Sequence, residues 1–198
     1  MRIVVFGAGG RTGRHLVAQA RARGHEVRAF VRDAAAFVAP GEGVEVIEGD
    51  ARDAVAVERA LADADAIVSV LALASADDEP AYSESTRTIV EAAERLGVRR
   101  IVVTANNDVL TDREVTGEYA AHAREHRRNR ATIQGSELAW TIIAAPWVTD
   151  DEPRGTYDAT IDAKAPGRRI GTADLATAVL DALKDDGWIG HVVGVSAA

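Results

Sequence analysis

Short apolar segments rich in valine and isoleucine alternate along this chain with longer segments in which apolar residues recur every three or four positions. The first pattern is typical of strands buried on both faces of a parallel sheet, and the second of helices that pack against such a sheet. The alternation predicts an α/β fold with a doubly wound parallel sheet, formed by residues 1–198 as a single domain. The predicted strands are Arg2–Phe6, Glu26–Val31, 44–47, 66–71, 100–104 and 139–143. The predicted helices are a first one ended by Gly24, then 53–61, 82–96, 118–134 and 172–183.

The alternation of strands and helices stops after Pro146. The segment 147–169 is polar and rich in turn-forming residues. We therefore expect it to be an excursion from the sheet that faces the substrate, with Trp147 available as a flat wall for an aromatic compound. No repeat or linker indicates a second domain.

Glycines at a constant spacing follow the first predicted strand. A strand, a glycine-rich loop and a helix in this order are typical of sites that bind the pyrophosphate of a dinucleotide. One glycine permits the tight turn, one lets backbone N–H groups approach the phosphates at the positive end of the helix, and one lets helix and strand pack closely. An ordinary turn is the alternative, but the order of the elements favours the dinucleotide site. Its candidate residues are Gly7, Gly9, Gly10, Arg11, Thr12 and Gly13.

The residue after the second predicted strand is Arg32, and Asp33 follows it. NAD sites usually place Asp or Glu at this point, where the carboxylate binds the ribose 2′-hydroxyl. A guanidinium fits a 2′-phosphate instead, by charge and by geometry, and Arg11 can close on the same group. NADP is therefore favoured over NAD as the cofactor. In the alternative, both arginines are solvated surface charges and Asp33 binds the ribose.

The composition excludes several classes of function. The chain has a net charge of −8, which argues against nucleic acid or an anionic membrane surface as a partner. It has no cysteine, which excludes disulfides, thiolate catalysis and zinc–sulfur sites. No segment approaches the ~20 apolar residues of a membrane span, and none has the pattern of a secretory signal. We therefore expect a cytoplasmic protein that binds a small-molecule substrate.

Motifs along nearly the whole chain follow the pattern of one known family. They are Gly7-Ala-Gly-Gly-Arg-Thr-Gly13, Gly24-His-Glu-Val-Arg-Ala-Phe-Val-Arg-Asp33, Gly49-Asp50, Leu96-Gly-Val-Arg-Arg-Ile-Val-Val-Thr104, Leu138-Ala-Trp-Thr-Ile-Ile143 and Ile170-Gly-Thr-Ala-Asp-Leu-Ala176. The chain thus resembles the atypical short-chain dehydrogenase/reductases, and among them the NmrA-like or NAD(P)H-binding branch that includes flavin reductase/biliverdin-IXβ reductase. The resemblance implies a Rossmann fold with NADP(H) across the carboxyl edge of the sheet. It also implies that Asp50 and Ala51 lie beside the adenine, that Leu71 and Ala72 line the adenosine pocket, and that Thr104 lies near the nicotinamide.

The catalytic pair of the classical members of this family is missing. Those members carry Tyr-x-x-x-Lys, in which the lysine lowers the pKa of the tyrosine that acts as acid and base. Here Tyr119 is followed four residues later by Ala123, and Tyr82 by Thr86. Flavin-reductase-like members also lack the pair, because hydride transfer to a flavin or a conjugated acceptor depends mainly on positioning. The missing pair is therefore compatible with an enzyme.

The catalytic candidates come from the end of the fifth predicted strand and the helix after it. Thr104 and Asn106 offer a hydroxyl and an amide at the carboxyl edge of the sheet, and a hydrogen-bonded loop is the alternative role for both. His126 is a candidate pocket residue and proton donor, because similar reductases have a histidine near this place; a partly exposed helix histidine is the alternative. His122 shares its helix face, but no third ligand accompanies the two histidines, so no metal site is predicted.

Three classes of function fit these residues. The first is an NADPH-dependent oxidoreductase that reduces a flavin or a small conjugated carbonyl or quinone-like acceptor. The second is a redox-sensing regulatory protein that binds NADP(H) without turnover. The third is an isomerase, epimerase or cyclase of specialised metabolism on the same fold. The groups that face the nicotinamide distinguish the three classes.

Overall fold

The structure, a computed structural model, describes residues 1–73, 80–111 and 115–198. Ten strands and five α-helices are formed within these residues. The strands are β1 (Arg2–Phe6), β2 (Glu26–Val31), β3 (Val44–Glu48), β4 (Ala66–Ser69), β5 (Arg100–Asn106), β6 (Ala139–Ala145), β7 (Trp147–Thr149), β8 (Tyr157–Ile161), β9 (Arg169–Gly171) and β10 (His191–Ala197). The helices are α1 (Arg11–Ala22), α2 (Ala54–Leu61), α3 (Ala81–Leu96), α4 (Ala120–Gln134) and α5 (Thr172–Ala182).

The central sheet has eight strands in the order β3-β2-β1-β4-β5-β6-β10-β8. Its pairings are parallel except at the edge, where β8 runs antiparallel to β10. The strand order reverses between β1 and β4, because β2 and β3 lie on one side of β1 and the later strands on the other. Ligands of such sheets bind at the carboxyl edge near this reversal. The predicted α/β fold with a doubly wound parallel sheet is confirmed.

The two faces of the sheet are covered by different helices. Leu16 of α1 and Leu180 of α5 lie in one apolar cluster with side chains of the sheet. Leu61 of α2, Ile89 of α3 and Ile133 of α4 lie in a second cluster on the opposite face. Each of these five side chains is at most 1% exposed, and burial of one such side chain contributes roughly 1.5–3 kcal/mol. In the part of the chain that the structure describes, no helix is long and apolar enough to cross a lipid bilayer.

The predicted elements are all present, and their ends differ from the predicted ones by at most two residues. Gly24 and Gly97 stop α1 and α3 with positive φ angles of 80° and 72°, which glycine adopts without steric cost. Asp53 is the N-cap of α2 and not its first residue, because its carboxylate accepts a hydrogen bond of 2.9 Å from the backbone N–H of Val55. Local sequence signals therefore set most of the element boundaries.

The sequence did not predict the last four strands. Tyr157–Ile161, inside the expected excursion 147–169, is the edge strand β8 of the central sheet. The strands β7 and β9 pair with each other in a separate two-stranded parallel sheet. That the remainder of 147–169 faces a substrate stays a prediction.

Candidate functional site

Gly7 and Gly10 in the loop between β1 and α1, and Gly13 in the first turn of α1, have different roles. Gly7 has a φ of 83°, and a Cβ on it would lie 2.9 Å from the backbone carbonyl of Val70. A Cβ on Gly13 would lie 2.1 Å from the carbonyl oxygen of Gly7, so this glycine lets α1 pack against the end of β1. Gly10 has an ordinary φ of −73°, and its Cβ would meet only the Gly7 oxygen, at 3.3 Å. The backbone conformation therefore requires Gly7 and the packing requires Gly13, whereas Gly10 leaves room for a ligand.

The N-terminus of α1 presents backbone N–H groups to this loop. Its N-cap is Gly10, which has no side chain to accept hydrogen bonds from the first turn, and the first turn contains no acidic residue. Such an uncapped helix end carries a partial positive charge and binds anionic groups such as a pyrophosphate.

A cavity of about 590 Å³ lies at the carboxyl edge of the sheet, beside the glycine loop. Its lining contains Asp33 and eight of the predicted site residues: Gly7, Gly9, Gly10, Arg32, Asp50, Ala51, Leu71 and Ala72. The cavity continues to the first turns of α3, where Ala81, Tyr82 and Ser85 line it. The predicted residues outside this lining are Arg11, Thr12, Gly13, Thr104, Asn106 and His126.

Arg32 and Asp33 lie side by side in the cavity wall but have different surroundings. Asp33 accepts hydrogen bonds from the backbone N–H groups of Ala35 (2.9 Å) and Ala36 (3.1 Å), both with Oδ1. Arg32 makes no hydrogen bond or ion pair with the described residues, and its side chain is exposed at the cavity. The guanidinium of Arg32 is therefore available to an anionic ligand, while the Asp33 carboxylate helps to fix the loop after β2.

Arg11 forms an ion pair that the sequence did not indicate. Its guanidinium lies 2.9 Å from the carboxylate of Asp150, just after β7, and both side chains are more than 60% exposed. The pair connects the glycine loop to the segment that was expected to face the substrate. Arg11 is thus directed towards Asp150, and it is not among the residues that line the cavity with Arg32.

Two further arginines line the cavity and were missed. Arg14, on the first turn of α1, donates a hydrogen bond of 3.1 Å to the carbonyl oxygen of Gly9. Arg52 lies 2.6 Å from the carboxylate of Asp50 and also donates its backbone N–H to it. The hydrogen bond from the Arg52 side chain lowers the pKa of Asp50 to about 2. These two arginines could have been predicted from the number of arginines near the glycine loop and after β3, because positive charges are expected beside a bound phosphate.

Tyr82 links the cavity to the catalytic candidates. It is the second residue of α3 and is 7% exposed. Its hydroxyl lies 3.2 Å from the backbone oxygen of Thr104 on β5 and 3.5 Å from Nδ1 of His126 on α4. The rings of Tyr82 and His126 meet edge to face, with 5.2 Å between their centres. Thr104 and His126, which were predicted separately, therefore both contact Tyr82. Tyr82 was not among the predicted catalytic residues, because it has no lysine four residues later.

Burial shifts the proton equilibria of this pair in opposite directions. It lowers the pKa of His126 to about 4, with the neighbouring His122 adding to the shift and Glu125 opposing it. It raises the pKa of Tyr82 to about 12, with Glu125 adding to the shift and the Asn129 amide opposing it. At neutral pH His126 is therefore an uncharged imidazole and Tyr82 an intact phenol.

Asn106 has the role of a loop cap in this structure. Its side-chain oxygen accepts a hydrogen bond of 3.2 Å from the backbone N–H of Asp108 and begins a short turn of 3-10 helix at Asn107–Leu110. This arrangement matches the alternative expected for Asn106. Trp147, at the start of β7, is 67% exposed. In the described residues no group of three or more acidic or histidine side chains could hold a metal ion.

Comparison with known proteins identifies the family. A family model described as NAD(P)H-binding matches residues 7–186. The chain is 41% identical over 114 residues to the 3-diazoavenalumate denitrifying reductase of a Streptomyces species, a match that covers 52% of this chain and 36% of that protein. It is 27% identical over 202 residues to the (4-alkanoyl-5-oxo-2,5-dihydrofuran-3-yl)methyl phosphate reductase of Streptomyces griseus, which covers 98% of this chain and 67% of that protein. The chain thus spans about a third of the first relative and two thirds of the second.

Solved structures agree on the fold. A short-chain dehydrogenase/reductase from Veillonella parvula in complex with NADP superposes with a TM-score of 0.82 at 20% identity, over 98% of this chain and 94% of that one. A protein assigned as an NADH-flavin reductase from Streptococcus pneumoniae gives a TM-score of 0.85 at 21% identity, over the whole of both chains. Since the family match extends over nearly the whole sequence, this chain belongs to the NAD(P)H-binding family, and it has a Rossmann-type fold.

Proposed function

We propose that this chain is an NADPH-dependent reductase whose acceptor is a small conjugated carbonyl compound, a quinone-like compound or a flavin. The observation that carries the proposal is the extent of the cavity, which runs from Arg32 past the uncapped end of α1 to Tyr82. Tyr82 in turn contacts the end of β5, the edge over which the reacting end of a dinucleotide lies in this fold. Bound NADPH supplies the hydride, and the residues of the chain hold the cofactor and the acceptor in register.

The preference for NADPH is supported by the charges in the cavity wall. Arg32 makes no hydrogen bond or ion pair among the described residues, whereas Oδ1 of Asp33 accepts hydrogen bonds from two backbone N–H groups. A 2′-phosphate gives Arg32 an anionic partner in a geometry that suits a guanidinium. The neutral 2′-hydroxyl of NADH offers Arg32 no such anionic partner.

The acceptor class is supported by the acid–base groups at the site and by the relatives. Tyr119 has no lysine four residues later and is 52% exposed, so the pair that classical members use to oxidise alcohols is lacking. The relative from Streptomyces griseus is named as a reductase of a 5-oxo-2,5-dihydrofuran, which is a conjugated carbonyl compound. Reduction of such a compound needs a hydride and one proton, and no base to withdraw a proton from an alcohol.

The test is steady-state oxidation of NADPH with FMN, menadione and cyclohexenone as acceptors. We expect turnover of at least one acceptor, and none by a Gly10→Val variant, because a side chain at Gly10 would project into the pyrophosphate site. Circular dichroism of the variant checks that it is folded. Tight NADPH binding by the wild type without turnover of any acceptor would refute the reductase and favour a regulatory NADP(H)-binding protein.

A further inference from the structure

We propose that the hydroxyl of Tyr82 donates the proton that completes the reduction of a conjugated carbonyl acceptor, and that His126 is the residue that positions this hydroxyl. The inference rests on the proposed function and adds to it the identity of the proton donor. It assigns the donor to α3, although the tyrosine of classical members belongs to a Tyr-x-x-x-Lys pattern that Tyr82 does not form.

The position of Tyr82 is the first argument. Tyr82 lines the same cavity as the glycine loop, and its hydroxyl donates a hydrogen bond of 3.2 Å to the Thr104 backbone oxygen on β5. Because Tyr82 lines the cavity, rotation of the O–H bond away from this oxygen would direct the proton to an acceptor held against the cofactor. The other side of the hydroxyl faces Nδ1 of His126 at 3.5 Å, so the oxygen has a polar neighbour when it loses its proton.

The proton states of the two residues are the second argument. Burial lowers the pKa of His126 to about 4, so its imidazole is uncharged at neutral pH and is a poor general acid there. Tyr82, with a pKa of about 12, is a phenol throughout the neutral range and holds one transferable proton. Within residues 80–111 and 115–198, the titratable groups that act on the pair are His122 and Glu125 of α4, and Arg128 pairs with Glu125.

The buried carboxylate of Glu125 fixes the first turn of α3 against α4. Glu125 is fully buried and accepts hydrogen bonds from the backbone N–H (3.0 Å) and the hydroxyl (3.2 Å) of Ser83, the residue after Tyr82. Its charge is balanced by Arg128 at 2.7 Å. A buried carboxylate with these partners holds its neighbours rigidly, because any movement would leave it unpaired. The Tyr82 hydroxyl is thus held in a defined position relative to β5.

The proposed step is balanced as follows. The hydride adds to the β-carbon of the acceptor, and the electron pair of the carbon–carbon double bond moves to give an enolate. The hydrogen bond from the Tyr82 hydroxyl to the Thr104 oxygen is exchanged for one to the enolate. The O–H bond of Tyr82 then breaks, and its proton joins the enolate as a new O–H or C–H bond. The phenolate that remains accepts a hydrogen bond from the Nδ1–H tautomer of His126. Water returns a proton to Tyr82 after the product has left.

The experiment compares Tyr82→Phe with Tyr119→Phe, a matched loss of one phenol hydroxyl from an exposed site on the same protein. We expect Tyr82→Phe to lower kcat with cyclohexenone by on the order of 10²-fold to 10³-fold, the range for loss of a general acid. With FMN the loss should be small, since hydride addition gives a flavin anion that is stable without a proton from the enzyme. NADPH binding, followed by its fluorescence, should be unchanged, and Tyr119→Phe should match the wild type in all three measurements.

The pH dependence of the wild type gives a second test that needs no variant. If Tyr82 is the donor, kcat with cyclohexenone should be nearly constant between about pH 5 and pH 10, because neither Tyr82 nor His126 titrates in that range. A fall in kcat with rising pH through the neutral range would identify another acid and overturn the inference.

The outcomes separate the donor from the proposed function. If the wild type reduces no acceptor, the reductase itself is refuted, and the donor with it. If the wild type reduces cyclohexenone and Tyr82→Phe does so equally well, only the donor is refuted. Equal losses with cyclohexenone and FMN would show that Tyr82 is structural, and turnover of FMN without any conjugated carbonyl would also refute the donor.

Discussion

Replacement of Arg32 by alanine tests the basis of cofactor choice. Arg32 is exposed in the cavity wall and has no hydrogen bond or ion pair among the described residues, so its removal leaves no protein group unpaired. A hydrogen bond between charged groups contributes roughly 1.5–3 kcal/mol, and solvent at this exposed position favours the lower part of that range. Since 1.4 kcal/mol corresponds to a factor of ten, Arg32→Ala should weaken NADPH binding by about 10-fold to 30-fold.

The other arginines near the cavity cannot replace Arg32 fully. Arg52 is held by Asp50 at 2.6 Å, and Arg14 donates to the Gly9 carbonyl at 3.1 Å. Arg11 is paired with Asp150, so Arg11→Ala should have a smaller effect on NADPH binding than Arg32→Ala. The sequence alone predicted that both arginines bind the 2′-phosphate. The relative size of the two effects tests whether Arg32 is the main partner.

Calorimetric titration with NADPH and with NADH gives the measurement. The wild type should bind NADPH at least tenfold more tightly, and Arg32→Ala should lose this preference while its Kd for NADH stays the same. Arg23→Ala is the matched control, because Arg23 lies at the far end of α1 and pairs with Asp181 at 2.7 Å. Equal affinity of the wild type for the two cofactors, or an Arg32→Ala variant that keeps the full preference, would refute the assignment.

Two further predictions concern packing and pH. Gly13→Ala should destabilise the protein by about 3 kcal/mol or more in urea unfolding, because its Cβ would lie 2.1 Å from a backbone oxygen. Gly10→Ala should unfold like the wild type. Equal unfolding midpoints for the two variants would contradict this prediction. The free energy of unfolding should fall as the pH is lowered from 6.5 to 4, because unfolded His126 takes up a proton in this range and folded His126 does not. The loss of unfolding free energy amounts to up to about 3 kcal/mol at 1.36 kcal/mol per pKa unit. The His126→Gln variant should not show this loss. If its stability depends on pH as that of the wild type does, His126 is not buried as described.

The sequence predicted the elements whose signals are local. The strands β1 to β6 and the helices carry their own periodicity and stop signals, and they lie within two residues of the predicted ends. The strand β8 has no such signal, because its residues are mostly exposed and its register is set by β10. Gly194 on β10 adds a long-range constraint, since a Cβ there would lie 2.2 Å from the carbonyl oxygen of Ala163. Such a contact between distant residues leaves no periodic pattern to detect.

The cofactor cavity was predictable for the same reason as the central strands. The glycine loop, Arg32 and the residues after β3 and β4 all follow directly on predicted strands, and the carboxyl ends of parallel strands meet at one edge. Arg14 and Arg52 were missed because each follows its strand by a turn or a loop, and the direction of a side chain there depends on the fold. Arg11 was expected to close on the 2′-phosphate together with Arg32, whereas the structure pairs it with Asp150, 139 residues away in the chain.

Tyr82 illustrates why a search for a catalytic tyrosine along one helix fails in this chain. The Tyr-x-x-x-Lys pattern asks whether two residues four apart share a helix face, and for Tyr82 the second residue is Thr86. The groups around its hydroxyl come instead from β5 and α4, as Thr104 and His126. This origin also changes the chemistry, because a lysine is needed when a tyrosine must give up its proton near neutral pH and act as a base on an alcohol. The proposed donor Tyr82 only has to hold its proton until an enolate forms, and burial without a nearby lysine favours that state. The arrangement therefore favours reduction of an acceptor over oxidation of an alcohol. Tyr82→Phe should accordingly slow the reduction of acceptors that need a proton from the enzyme, and have little effect on the reduction of acceptors that do not.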